Sequence, residues 1–393
     1  GETWADTTYA KTNAGAVSKE GASDTNYNIY WNAGTSTLTL NNANIKLTPT
    51  ETVSSVISAD IESLNIVLIG SNSIEVTNEQ NAGFTALSNT GKIHIGLADD
   101  QDASLSIVIN QTNDLNTLTP PYDRNIDLVG VYTGTGLTNE GKLTISIAIP
   151  SDKDSSGNVF GIEGGVYKSK SASLRNDGTI FIDLKDNSLS AGYAVTVYGV
   201  ILYGGSLINN GTMDVNAYTT NGKAYGLRGT NTTEVWENSG TIKSTATAYG
   251  GNISNFTNSY KFSNHSNALS IVTSDGANQK AHLVNSDSGI MNLYAINYGK
   301  NAFSENVCGI ELDSEDTLLN NAGTINVQAL EANSSGIYMY ACSKDEVLTN
   351  SGTIEIKATT NGQCQGGEQE QSYYATATGI GINLENYDDT PLQ

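Results

Sequence analysis

The chain has 393 residues and a formal net charge of −22, with only 19 Lys plus Arg among them. That balance excludes nucleic acid as a partner, because a phosphate backbone needs clustered Lys and Arg. No run of about 18 apolar residues occurs, so nothing reads as a membrane span, and no signal peptide is visible.

Residues 1–80 read as an N-terminal cap and irregular first coils. "STLTLNNANIKL" (Ser36–Leu47), "ESLNIVLIG" (Glu62–Gly70) and "SNSIEV" (Ser71–Val76) are short alternating strands with Asn and Gly turns. Trp4 and Trp31 are expected to cover the exposed end of an apolar core, since terminal units of a stack need atypical caps.

From residue 81 to 393 one phrase recurs. "LSNTGKIHI" starts at Leu87, "LTNEGKLTI" at Leu137, "LRNDGTIFI" at Leu174 and "LINNGTMDV" at Leu207. "WENSGTIKS" follows at Trp236, "LVNSDSGIMNL" at Leu283, "LNNAGTINV" at Leu319 and "LTNSGTIEIKA" at Leu348. Each copy reads as a turn at Asn-x-Gly, where both residues tolerate left-handed backbone, followed by a strand with strict period-2 alternation. The alternation predicts Ile93/Ile95, Leu143/Ile145, Ile180/Ile182, Met213/Val215, Ile325/Val327 and Ile354/Ile356 on the buried face. Met291/Leu293 join them if Asp287 and Ser288 are an insertion. Ser244 is the polar exception.

A second phrase, Gly before an aliphatic residue, sits between the copies at Gly130, Gly161, Gly199, Gly226, Gly309, Gly336 and Gly379, with Ser270 as a degenerate member. The Asn residues at 89, 139, 176, 209, 238, 285, 321 and 350 are 50, 37, 33, 29, 47, 36 and 29 residues apart. The shortest spacing is one coil; longer ones imply insertions or a degenerate extra coil. A single unit cannot bury its apolar face, so the copies must stack. The reading is an all-β, right-handed parallel β-helix (β-solenoid) of roughly nine or ten coils with loop insertions. Its Asn column is expected to form a hydrogen-bonded ladder at the inter-strand spacing.

Ile109–Asn125, which holds the Pro pair, reads as a loop excursion. Gly381–Gln393 parallels Gly309–Asn321, so the repeats are expected to continue past Gln393. Cys308, Cys342 and Cys364 are odd in number and loosely spaced, giving neither a disulfide framework nor a zinc pattern, although a Cys342–Cys364 bridge stays open.

Catalytic, metal and cofactor sites are not evident. The acidic groups at Asp99-Asp100, Asp313/Glu315/Asp316 and Asp388-Asp389 fall in predicted loops without the His or Arg neighbours that acid–base work on sugars requires. His94, His265 and His282 are scattered, and Arg124, Arg175 and Arg228 form no cluster. No nucleophile elbow, phosphate loop or zinc-protease motif occurs. Tyrosine, however, is 20 against six Phe, and Tyr132, Tyr198, Tyr203, Tyr225, Tyr338 and Tyr340 lie at or beside the repeats. Tyr rings with their hydroxyls suit polar recognition, including sugars.

The alternating phrases "CGIEL" and "LTNSGTIEIKA" resemble passenger domains of bacterial autotransporter adhesins over about Leu87 to Leu384. The resemblance implies a right-handed β-helix exposed from the outer membrane on the bacterial surface. It further implies attachment to host glycans or matrix proteins, or self-association between cells; the missing catalytic motifs, taken separately, point to no enzyme and no cofactor. The motif is structural and carries over no binding residue. A carbohydrate-active β-helix enzyme and a passive spacer are the alternatives.

Overall fold

The computed structural model describes residues 3–50, 53–98, 102–114, 127–155, 157–190, 195–220, 222–249, 266–273, 279–298, 306–330, 333–341, 347–360 and 377–384. Among them every helix or strand is a strand, and almost all pairing is parallel. The architecture is all-β with long parallel sheets, consistent with a β-solenoid.

The alternation of the repeat phrase dictates this arrangement. Lys142–Ile149 pairs in parallel with Thr179–Asp186, so that Leu143 lies against Ile180, Ile145 against Ile182 and Ile147 against Leu184. These side chains are all essentially fully buried, whereas Phe181 between them is exposed. Equivalent strands from Asn44–Leu47 to Thr353–Thr359 form one ten-stranded sheet. Each buried Ile or Leu contributes roughly 1.5–3 kcal/mol, and like residues stacked on like keep the column free of gaps. Met291 and Leu293 face inward as the two-residue insertion requires, and buried Ser244 is satisfied by donating to the Ala268 carbonyl at 2.6 Å.

Two further stacks complete the unit. The Gly-aliphatic phrases form one, here the first sheet, and the Leu-x-Asn segments form the second. The 15-residue strand Val195–Asn209 runs through both: its first half pairs with Asn158–Gly164 and Gly222–Thr230, its second with Ala172–Asn176 and Trp236–Asn238. At the N-terminus, Thr8–Asn13, Ala16–Ser18, Ile29–Asn32 and Thr37–Asn41 pair antiparallel, and Thr37–Asn41 then starts the parallel stack against Ser63–Ile69. Trp4 and Trp31 pack partly buried against the main core there.

The corner between the second sheet and the ten-stranded sheet carries the Asn ladder. Nδ2 of Asn139 donates to Oδ1 of Asn176 at 2.9 Å, and the sense repeats through Asn209, Asn238, Asn285, Asn321 and Asn350 at 2.7–2.8 Å. Asn209 also reaches the carbonyls of Gly211 and Thr241. The 47-residue spacing holds one rung, since Asn238 bonds directly to Asn285; the extra length is insertion, not an added coil.

Three sequence expectations are corrected. First, Asn89 is not a rung. Phe84–Asn89 belongs to the first sheet, where Asn89 pairs with Thr133, and Ile95 is the residue opposite Asn139. Ile93 and Ile95 remain buried, so the parity holds while the sheet assignment shifts. Second, Gly178, Gly211, Gly240, Gly323 and Gly352 are not among the residues with positive φ. Their reason is contact: a Cβ on Gly211 would lie 2.0 Å from the Gly178 carbonyl oxygen, so the coils approach too closely there for any side chain. Third, the register puts Leu269 against Leu227 and Ile310, which makes Ala268 the degenerate member of the first-sheet Gly column, and Ser270 an outward residue opposite Arg228 and Glu311.

Candidate binding face

The first sheet has an outer face made of three adjacent columns. Immediately before the Gly column stand Val129, Phe160, Tyr198, Tyr225, Asn267 and Cys308. Two residues after it stand Tyr132, Glu163, Ile201, Arg228, Ser270, Glu311 and Tyr338. The third column includes Tyr203, Thr230, Val272, Asp313 and Tyr340. At the strand spacing this face runs about 30 Å from Tyr132 to Tyr338. All six tyrosines singled out from the sequence converge on it.

Packing on this outer face is aromatic. The rings of Phe160 and Tyr198 stack at 5.1 Å and those of Tyr198 and Tyr225 at 5.2 Å. Val129, Phe160 and Ile201 are buried in a small apolar cluster separate from the main core, with Tyr132, Tyr198 and Tyr203 partly buried against it. Tyr167, exposed, meets Tyr203 edge-on at 6.0 Å.

Charged groups are set into this apolar ground. Burial, reinforced by the neighbouring Asp127 charge, pushes the Glu163 carboxyl up to about 7. Burial also raises Asp127, although Asn158 donates to its Oδ1 from both backbone and side chain. The Tyr225 hydroxyl is raised by burial, partly opposed by Arg228, whose guanidinium carbon lies 4.3 Å from the Tyr225 ring centroid. Glu311 Oε2 accepts from Asn267 Nδ2 at 2.7 Å and Ser270 Oγ at 2.6 Å. Buried Cys308, a free thiol, is held well above its ordinary value by desolvation and by Glu311.

Elsewhere the sequence-noted residues stay dispersed. His94 meets Glu140 at 3.2 Å and His282 meets Asp316 at 2.7 Å, both on the second sheet. Arg175 pairs with Asp177 at 2.6 Å. Asp99, Asp100, Arg124, His265, Cys342, Cys364, Asp388 and Asp389 lie outside the described residues. Among the described residues no group of three or more His, Cys, Asp or Glu is arranged to hold a metal ion, and no helix is long and apolar enough to cross a membrane. Asp127, Glu163, Arg228 and Glu311 were not recognised from sequence as one site. Alignment on the Gly-aliphatic phrase would have found three of them, since Glu163, Arg228 and Glu311 all stand two residues after that glycine.

Comparison with family models, with curated proteins and with solved structures found no match.

Proposed function

We propose that this chain is a binding stalk of a bacterial cell-surface adhesin: a right-handed parallel β-helix of nine or ten coils, displayed outside the cell, that engages glycans through the outer face of its first sheet. The observation that carries the reading is the convergence of half-buried Tyr132, Tyr198, Tyr203, Tyr338 and Tyr340 on that face, with Tyr225 buried among them. Aromatic rings offer apolar contact to the C–H faces of sugars, and their hydroxyls offer hydrogen bonds. A face about 30 Å long suits an extended chain better than one deep pocket does, and repeated weak contacts along it gain strength through multivalency.

One observation favours a second reading, a carbohydrate-active enzyme: a Glu163 carboxyl raised to about 7 beside Asp127 has the acidity of a general acid. Display on a non-adherent bacterium separates the two. The adhesin reading expects increased attachment to glycan-coated surfaces, reduced by Tyr203→Ala plus Tyr132→Ala, with no new reducing ends or unsaturated products released from polysaccharides. Turnover without any gain in attachment or cell clumping overturns it in favour of the enzyme.

A further inference from the structure

We propose that Arg228 is the centre of an anion subsite on this face and takes the carboxylate of an acidic sugar residue. The inference deepens the adhesin reading and rests on it.

The chain is strongly anionic and has three arginines in all. Arg175 has its carboxylate partner. Arg228 has no carboxylate within ion-pair distance among the described residues. Its neighbours along the column are uncharged, Ile201 on one side and Ser270 on the other. The nearest acids in that column, Glu163 and Glu311, are each two repeats away, about 9.6 Å at the strand spacing. Glu311 leans toward Arg228, its carboxylate accepting from Asn267 and Ser270 on the intervening strand, so that its charge acts on Arg228 without pairing with it directly. In a protein with 41 Asp plus Glu, a partly buried cation left without one is the feature to explain, because desolvating a charge without a partner is costly.

The geometry defines what the missing partner looks like. Tyr225 covers one face of the guanidinium at 4.3 Å and its hydroxyl also takes a side-chain hydrogen bond from it, which leaves the rest of the in-plane N–H fork as the available recognition element. That fork matches a carboxylate bidentately. Of the stacked rings beside it, Phe160 and Tyr225 are buried, so half-buried Tyr198, with Tyr203 in the third column, supplies the aromatic surface that a sugar ring attached to that carboxylate would meet. Glu163 and Glu311 flank the position on both sides, and this favours a singly charged carboxylate over a doubly charged phosphate or a polyanion. A sugar acid combines one negative charge with a polar ring, and it fits both the fork and the aromatic row.

The whole chain is tested by titration against sialyllactose and trigalacturonate, with lactose and the trigalacturonate methyl ester as neutral counterparts and a Glu-rich peptide as a control. The expected result is binding of at least one acidic sugar, at least tenfold weaker for its neutral counterpart. Arg228→Gln should lose that preference, and Arg228→Lys should recover it only in part, because an ammonium lacks the fork. Equal binding of the acidic and neutral forms by the unmodified chain overturns the subsite without any variant. So does unchanged acid preference in Arg228→Gln, or binding of the Glu-rich peptide alone. If Arg228→Gln does not fold, the acid–ester comparison and Arg228→Lys decide. Retained attachment with no acid preference would sink the subsite and leave the adhesin reading standing, whereas loss of all glycan binding and of attachment would sink both.

Discussion

Ile95 lies opposite Asn139 in the parallel register, and the Asn139 Oδ1 atom is buried without a hydrogen-bond partner among the described residues. Every later rung has its Oδ1 filled by the Nδ2 of the rung before it. An Asn at position 95 would therefore donate in the sense the ladder already uses. Ile93 and Ile95 are equally buried, so their replacement by Asn should cost similar apolar burial. Ile95→Asn is expected to be less destabilising than Ile93→Asn by about 1–3 kcal/mol, the worth of satisfying a buried acceptor. Urea midpoints of the two variants test this, and the reverse order would contradict it.

Within the ladder, Asn209 is fully buried and bonded to rungs on both sides, whereas Asn350 is exposed. Asn209→Leu should destabilise by about 1–3 kcal/mol, since it orphans partners in two neighbouring coils. Asn350→Leu should fall within about 0.5 kcal/mol of the unmodified chain, as an exposed substitution does. Equal effects at both positions would argue against a continuous buried row.

The close approach at the turns predicts a third contrast. Gly211→Ala forces a methyl group against the Gly178 carbonyl, while Gly379→Ala meets nothing within 4 Å. The first should cost about 1–3 kcal/mol or more, as overpacking does, and the second should cost little. Thermal unfolding of the pair measures the difference.

Parity gives the severest test. Ile182→Asp buries a carboxylate with no counter-ion and should abolish cooperative folding. Phe181→Ser, one residue away on the exposed side of the same strand, should change the unfolding midpoint little.

Glu163 sets a pH dependence. Its folded value, about 7, is above the ordinary 4.5, so the folded chain holds this proton more tightly than the unfolded chain. The contribution is fully present below about 4.5 and is lost as pH rises through about 7, amounting to ~3 kcal/mol at most. Glu163→Gln should flatten the stability profile between those limits. A profile with the same slope in the variant would remove Glu163 as its source.

The core was legible in the sequence because period-2 alternation depends on nothing beyond neighbouring residues. Thus Leu143, Ile180, Met213 and Ile325 were placed inward correctly. The Asn ladder was legible for a different reason, the repetition of its turn. Asn89 departs from the ladder because its wording matches the phrase while its place is set by pairing across coils, with Thr133 opposite it and the Ile61 N–H donating to its Oδ1. The turn glycines were identified for the wrong cause, since the approach of Gly178 to Gly211 exists only between stacked coils. The binding face was least visible. Glu163, Ile201, Arg228, Ser270 and Glu311 form one column, but unequal insertions separate them along the chain, so no fixed spacing announces them.

The rungs Asn209 to Asn238 and Asn238 to Asn285 keep the same 2.8 Å contact although 29 residues separate the first pair and 47 the second. The spine is thus indifferent to the length of chain between its contacts. Such a molecule divides its sequence into a repeated rule and an editable margin. Segments leaving one corner can be lengthened, shortened or exchanged without renegotiating the rungs, so new surface chemistry can be tried one coil at a time while the scaffold's registration stays fixed.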